Sequence, residues 1–342
     1  MLNWQNYLMT PEQKTYLPVS QLALETFRQT PNHDLELLIK TPTGTYQTAW
    51  ERAYGEPALN PDSRLPGLLG GEDFMPPGKR KLLFGTHLNG RCPADCLDCP
   101  FGSTTIRAIY ASESDLHYTL ARPITPAELS AFLVRAKQIA VERGILKSGE
   151  TFSAGALLSG DPGYNRHTAE LVAAVSRVPD CEACRWSTIA PDTGHNVLAA
   201  FIKGAQLARE IDPAHISSFQ ASLHSTDHEV RVRHTGVTRL LSMSDIAAAS
   251  QEIYQITGRK LSLAFVLHAG SVIDHRVLKD NFSPDHNIIS LRPIYSATTL
   301  PMNPDNTIKL YSQLRKDGWD VVYMPPNQGN GGPPIELHNM RG

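Results

Sequence analysis

The sequence predicts an α/β fold, a partial (β/α)6 barrel, and three observations carry that expectation. After Pro76, Pro77 and Gly78 the chain becomes a series of strand-length apolar runs: 81–88, 152–159, 185–190, 215–223, 261–268, 287–294 and 319–324. Amphipathic stretches of helical length lie between them, at 126–143, 167–177, 195–209, 244–256, 272–279 and 305–316. Turn residues separate each pair. Parallel neighbours need a crossover connection and a helix supplies one, so about six βα units in succession imply a parallel sheet. A doubly wound sheet is the alternative arrangement of the same units.

Three segments follow from this pattern. Residues 1–78 are mixed in character and punctuated by proline and glycine, as in TPTGTY and NPDSRLPGLLGGEDFMPPGK, and read as an N-terminal, mainly helical extension of short helices. Residues 79–324 form the barrel. Thr125 before Pro126 and Ser242 to Asp245 before an alanine-rich run are N-cap signals for two of its helices. The glycine-rich end, 325–342, reads as a disordered tail or a lid over the barrel mouth. No internal repeat or heptad pattern interrupts this plan.

Composition narrows the function classes. The 342 residues are 41% hydrophobic and 19% charged, typical of a globular chain able to bury a large core. A formal net charge of −2 gives no global positive field, which argues against a nucleic-acid partner. No run of eighteen apolar residues and no basic-then-apolar leader is visible, so a cytoplasmic protein with no membrane partner is expected.

The five cysteines fall in two groups, Cys92, Cys96 and Cys99, then Cys181 and Cys184. An odd number in a reducing compartment suits metal ligation better than disulfides. The first group, in HLNGRCPADCLDCPFG, has the spacing CxxxCxxC directly after the first predicted barrel strand. Three thiolates hold three irons of a cubane and leave the fourth open. A zinc site with His87 as fourth ligand is the simpler alternative.

The triad resembles the signature of the radical S-adenosylmethionine (SAM) superfamily. That resemblance implies a partial TIM-like barrel, a [4Fe-4S] cluster on Cys92, Cys96 and Cys99, and reductive cleavage of SAM to methionine and a hydrogen-abstracting 5′-deoxyadenosyl radical. A flavodoxin- or ferredoxin-like electron donor comes with it. The usual aromatic residue before the third cysteine is replaced by Asp98. Ser159, Gly160, Asp161 and Pro162, one βα unit later, resemble the turn that meets the SAM amino group, with aspartate in place of glutamate.

The segments WSTIAPDTGHN, SFQASLHSTDHEVR and GRKLSLAFVLH, followed by ISLRPIY, are similar in order and spacing to the enzymes that methylate adenosine C2 or C8 in RNA. By that analogy Ser187, Thr188, Gln220, Ser222 and His224 would contact SAM. The methyl-carrier cysteine of those enzymes is missing: Gly85 stands seven residues before the cluster motif, and no cysteine follows Cys184. A thiolate is needed to accept and pass on a methyl group, so that relay is absent.

The remaining polar groups are less committed. Asp227, Glu229, Arg231, Arg233 and His234 read as a solvated loop of alternating charge. Cys181 and Cys184 fall in a helix-to-strand connection, as inert thiols or half of a metal or redox site. His268, His275, His286 and His338 show no metal spacing. Arg292 and Tyr295, at the end of the sixth strand, are candidates for gripping substrate; Tyr110 and Tyr164 read as packing. No catalytic residue is assigned. The function expected is a radical SAM enzyme acting on a small polar substrate such as a nucleoside or sugar, followed by rearrangement, elimination, decarboxylation or epimerisation. The alternatives are a radical SAM enzyme that modifies RNA or a peptide, and a non-catalytic metal-binding protein.

Overall fold

A computed structural model describes residues 23–29, 35–40, 46–53, 82–88, 92–97, 123–142, 144, 146–294 and 300–323. Among the described residues ten strands form one sheet in the order of the sequence. The first three, β1 (Ala23–Gln29), β2 (Leu35–Lys40) and β3 (Tyr46–Ala53), pair antiparallel, and β3 pairs antiparallel with β4 (Leu82–His87). From β4 onward every pairing is parallel: β5 (Phe152–Ser159), β6 (Cys181–Thr188), β7 (Ile216–Ser222), β8 (Leu261–Leu267), β9 (Asn287–Pro293) and β10 (Val321–Tyr323).

The intervening helices are α1 (Pro126–Glu142), α2 (Thr168–Val175), α3 (Val197–Ile211), α4 (His228–Thr235), α5 (Met243–Thr257), α6 (His275–Asn281) and α7 (Pro304–Lys316). Parallel strands alternating with helices make this a partial (β/α) barrel. The anticipated caps are present. Thr125 and Glu128 exchange hydrogen bonds across the first turn of α1, and Ser242 and Asp245 form a capping box on α5.

The sequence expectation of a mainly helical extension is overturned for its described part, which is a meander of strands. The segments ALETFRQ, LELLIK and YQTAWERA are short, β-rich in composition and separated by turn residues, which favours hairpins over helices. A bulge between Leu24 and Thr26 adjusts the register of the first pair.

The two faces of the parallel sheet differ in chemistry. One face turns to the helices and is apolar: Trp186 and Phe219 pack on Phe201 of α3, Phe219 stacked at 4.5 Å and Trp186 edge-on at 6.4 Å. Leu261, Leu263, Phe265, Leu267, Ile289 and Leu291 continue that buried layer. Alternation then puts Arg185 and Ser187 of β6, Ser218, Gln220 and Ser222 of β7, Ser262 and Ala264 of β8, and Ser290 and Arg292 of β9 on the opposite face. Register aligns Ser187 with Gln220 and Gln220 with Ser262, and Ser222 with Ala264 and Ala264 with Ser290. Ile216, Val266 and Ile288 share this face, so among the described residues the barrel interior mixes serines, Gln220 and two arginines with a few aliphatic side chains.

Cys181 and Cys184 lie within β6, correcting their placement in a connection. The strand begins four residues earlier than the apolar pattern suggested, because CEAC carries β6 along the pairing with β5.

Candidate functional site

Active sites of such barrels are built at the C-terminal ends of the strands. At that end the chain brings together the loop after β4, the turn after β5, the last residues of β6 and β7, and α4.

The cysteine loop is anchored by α4. The last carbonyls of a helix lack partners within it, and here the loop supplies them: Asp95 N donates to Thr235 O at 3.0 Å and Leu97 N to His234 O at 2.9 Å. Gly236 ends the helix in the left-handed conformation (φ 66°), and a Cβ there would lie 3.2 Å from Asp95 Cβ. Cys92 is buried and Cys96 half-buried. Burial pushes the Cys92 thiol up to about 12, reinforced by the Asp161 charge, while the backbone amides of Asp161 and Ala94 hydrogen-bond the sulfur and act the other way. Cys99 lies outside the described residues, as do Asp98, Tyr110 and Tyr295, the tail 325–342 with His338, and the side chains of His87 and Ser159. Among the described residues no three His, Cys, Asp or Glu side chains form a group able to hold a metal ion.

The turn Gly160–Asp161–Pro162 is tied to β6. Gly160 takes a left-handed φ of 86°. Asp161 then caps the short 3-10 turn Pro162–Tyr164 by accepting from Gly163 N at 2.7 Å. The same oxygen accepts from Thr188 Oγ1 at 2.7 Å, and the other accepts from Ile189 N at 2.6 Å. Burial raises the Asp161 carboxyl to about 6, with these hydrogen bonds opposing the shift. Only glycine fits at 163, where a Cβ would meet Pro191 Cγ at 2.5 Å. Burial also pushes the Tyr164 hydroxyl up, consistent with its reading as packing. Asp161 and Thr188 are thus committed to each other, which fixes where the backbone of the turn and of the β6 end lie.

Ser187, Gln220 and Ser222 form a separate group on the interior face. Gln220 Nε2 donates to Ser187 Oγ at 2.8 Å and to Ser222 Oγ at 3.3 Å, and the two hydroxyls are 2.9 Å apart. Immediately beyond, His224 adopts φ 61°, an uncommon conformation for a residue with a side chain, while Leu223 N and His224 N both donate to Ala264 O. Ala190, past the end of β6, is also left-handed (φ 55°). Arg292, half-buried, ends the interior row of β9.

The charged stretch after His224 departs from its expected solvated loop. It forms helix α4, capped by Asp227, whose side chain accepts from Val230 N, and its inner face buries Arg231 (2% exposed) and His234 (1%). His234 stacks on His224 with ring centroids 4.0 Å apart and lies 5.4 Å from His268, which is also buried. Gly270 N donates to His268 Nδ1, leaving Nε2 to carry the proton toward His234 Nδ1 at 3.5 Å. The three residues come from the segment just after β7, from α4 and from the residue following β8, so spacing in the sequence held no sign of their grouping.

The other features lie elsewhere. Cys181 and Cys184 are buried, and burial pushes both thiols up, Cys184 to about 11, so they are packing residues of β6. Recesses of about 420 and 370 Å³ open at the opposite end of the strands, one around His215, Arg209 and Arg259 and the other around Asp180, Glu182 and Asp212. The cysteine loop and the interior polar group are remote from both, and the chemistry favours the C-terminal end. No described helix is long and apolar enough to cross a membrane.

No family model matches the sequence, and neither does any curated protein. Among solved structures, the chain is similar to a radical SAM methyltransferase from Sphaerobacter thermophilus, with a TM-score of 0.59 over 90% of this chain and 78% of that one at 16% identity. The likeness is one of fold. A mandelate racemase/muconate lactonizing enzyme from Roseiflexus sp. aligns at 12% identity over 95% of this chain and 88% of that one, but its TM-score of 0.25 supports no argument.

Proposed function

We propose that the protein is a radical SAM enzyme, with Cys92, Cys96 and Cys99 holding a [4Fe-4S] cluster at the barrel mouth. The observation that supports this most is that the described part of the cysteine loop, Cys92 to Leu97, the Gly160–Asp161–Pro162 turn and the Ser187–Gln220–Ser222 group lie toward the same end of the parallel strands. The residues present are compatible with the cluster in that Cys92 and Cys96 sit on a loop whose backbone is braced by α4. The bound cluster and SAM would supply a 5′-deoxyadenosyl radical for hydrogen abstraction, with electrons from a flavodoxin- or ferredoxin-like donor. Ser159, Gly160 and Pro162 offer backbone groups to the methionine end of SAM. Asp161 and Thr188 hold that backbone in place, and Ser187, Gln220, Ser222 and His224 present hydrogen-bonding groups to the nucleoside. Arg292 and Tyr295 orient substrate. The enzyme is proposed to work in the cytoplasm.

Of the substrate readings, modification of an RNA or a peptide is supported by β1–β3, which extend the sheet beyond the barrel; a solved structure of similar fold is a radical SAM methyltransferase. Gly85, within β4, still excludes the cysteine relay of the RNA-methylating enzymes. A small polar substrate is the second reading. The test is anaerobic: reconstitute iron and sulfide, reduce, add SAM and assay 5′-deoxyadenosine and methionine. Both are expected, and replacing Cys92, Cys96 or Cys99 by alanine should abolish them along with the brown chromophore. Stoichiometric zinc and no SAM cleavage would instead favour a non-catalytic metal-binding protein. RNA binding that weakens steeply with salt would separate the RNA substrate from the others.

A further inference from the structure

At the end of the strands opposite the mouth, the recess of about 420 Å³ lies where α3 and α5 finish and β7 begins. Its volume is in the range of small-molecule sites. Arg209 and Arg259 line it with His215, Ser217, Gln255 and Gly258, and no described acidic residue does. Asp212, whose charge acts on His215, lines the neighbouring recess instead. Helix C-termini by themselves repel an anion. Here Arg209 offsets that of α5, with Nη1 donating to Ile256 O. Arg259 is exposed, and its side chain makes no hydrogen bond or ion pair among the described residues. The recess therefore carries positive charge with a guanidinium still to be matched.

His215 sets a second requirement. The residue is 5% exposed, and its Nδ1 lies 3.2 Å from Cys181 O. A carbonyl oxygen only accepts, so Nδ1 carries the proton. Desolvation lowers the pKa of the ring, which is therefore neutral, and Nε2 keeps a lone pair. That nitrogen is buried and has no hydrogen-bond partner, which is costly for an acceptor of its strength. Nδ1 is turned to Cys181, a residue of the neighbouring recess, so the far side of the ring is the one that lines this recess. A bare oxyanion has no proton to offer Nε2. An occupant that satisfies the whole wall must bring a negative group for the arginines and, beside it, a hydroxyl for His215. A phosphate monoester, with close to two negative charges at neutral pH, matches two guanidiniums better than a single carboxylate does.

We infer that this recess binds a small phosphate monoester of the sugar- or polyol-phosphate class, its phosphate held by Arg259 and Arg209 and one of its hydroxyls donating to His215 Nε2. The site is separate from the cysteine loop and from the interior polar group, so it does not depend on the SAM reading of the mouth.

The test titrates three probes into the anaerobically reconstituted full chain by isothermal calorimetry: glycerol 3-phosphate, propyl phosphate, which has the same carbon chain without hydroxyls, and glycerol, which has no phosphate. Wild type should bind glycerol 3-phosphate about tenfold more tightly than propyl phosphate, as expected for a hydrogen bond to a buried acceptor, and should not bind glycerol. Arg259→Gln, a change at an exposed side chain, should weaken both phosphates by about tenfold. His215→Phe should weaken glycerol 3-phosphate to the level of propyl phosphate and leave propyl phosphate unchanged. The comparison of the two phosphates on wild type reads the same hydroxyl contact, so it decides the matter even where His215→Phe does not fold. No saturable binding of glycerol 3-phosphate, or equal binding of the two phosphates by wild type, overturns the inference. Binding that Arg259→Gln leaves intact also overturns it, by placing the phosphate elsewhere on the chain.

Discussion

Replacing Asp161 tests whether the turn after β5 is held by the side chain or only passes near it. Its carboxylate collects three buried donors, Gly163 N, Thr188 Oγ1 and Ile189 N, at 2.6 to 2.7 Å. Asp161→Ala orphans both amides, and each buried group left unmade costs about 1–3 kcal/mol. The Thr188 hydroxyl still accepts from Ala190 N but loses the acceptor for its own proton, a third lost hydrogen bond. Removing a buried carboxyl whose ionisation is disfavoured returns part of that loss. The net expectation is a destabilisation of about 3 kcal/mol. Asp161→Asn retains the shape and one oxygen but turns an NH2 toward one of the donors, which gives about 1–3 kcal/mol. Thr188→Val removes a partner of the same carboxylate, so the double variant Asp161→Ala/Thr188→Val should cost less than the two single changes added together. Urea unfolding of the chain without added iron or SAM measures wild type and the four variants free of ligand effects. If Asp161→Asn and Asp161→Ala both unfold within about 0.5 kcal/mol of wild type, the usual scatter of surface substitutions, the strap between β5 and β6 does not hold the turn.

Two further outcomes follow from burial. Cys181 and Cys184 should resist thiol reagents in the native state, and Cys181→Ala should leave iron content and SAM cleavage unchanged; loss of iron would make the pair a metal site. His215 is buried and its pKa is held below the usual 6.5 by desolvation, so the unfolded chain takes up the proton first as pH falls. Its contribution to stability is complete above about 6.5 and is lost as pH falls from there toward the depressed folded value. His215→Asn should flatten the fall in melting temperature between pH 7 and pH 5, and an unchanged slope would refute the assignment.

Most of the barrel was legible in the sequence because its signals are local. Apolar runs mark β5, β7, β8 and β9 to within a residue or two, and the caps at Thr125 and Ser242 announce α1 and α5. The misreadings also have physical causes. Strands β1–β3 are short and their apolar and polar residues do not alternate regularly, so pairing partners rather than local pattern reveal them. Helix α4 has no apolar stripe, since HEVRVRHT buries an arginine and a histidine where the hydrophobic rule expects leucine. The site was legible only as motifs. The sequence separated Ser187 from Gln220 and Ser222, and His224 from His234 and His268, and only strand register and the return of α4 bring each set together.

The strictly sequential order of the ten strands bears on how the chain is made. Each strand pairs with the one synthesised just before it, so a nascent chain leaving the ribosome always has its docking edge already in place. Among the described strands none must wait for a partner still to be translated, although each parallel pairing still closes a loop through its crossover connection. The fold can assemble as a vectorial process, one βα unit at a time, with the growing C-terminal edge as its template.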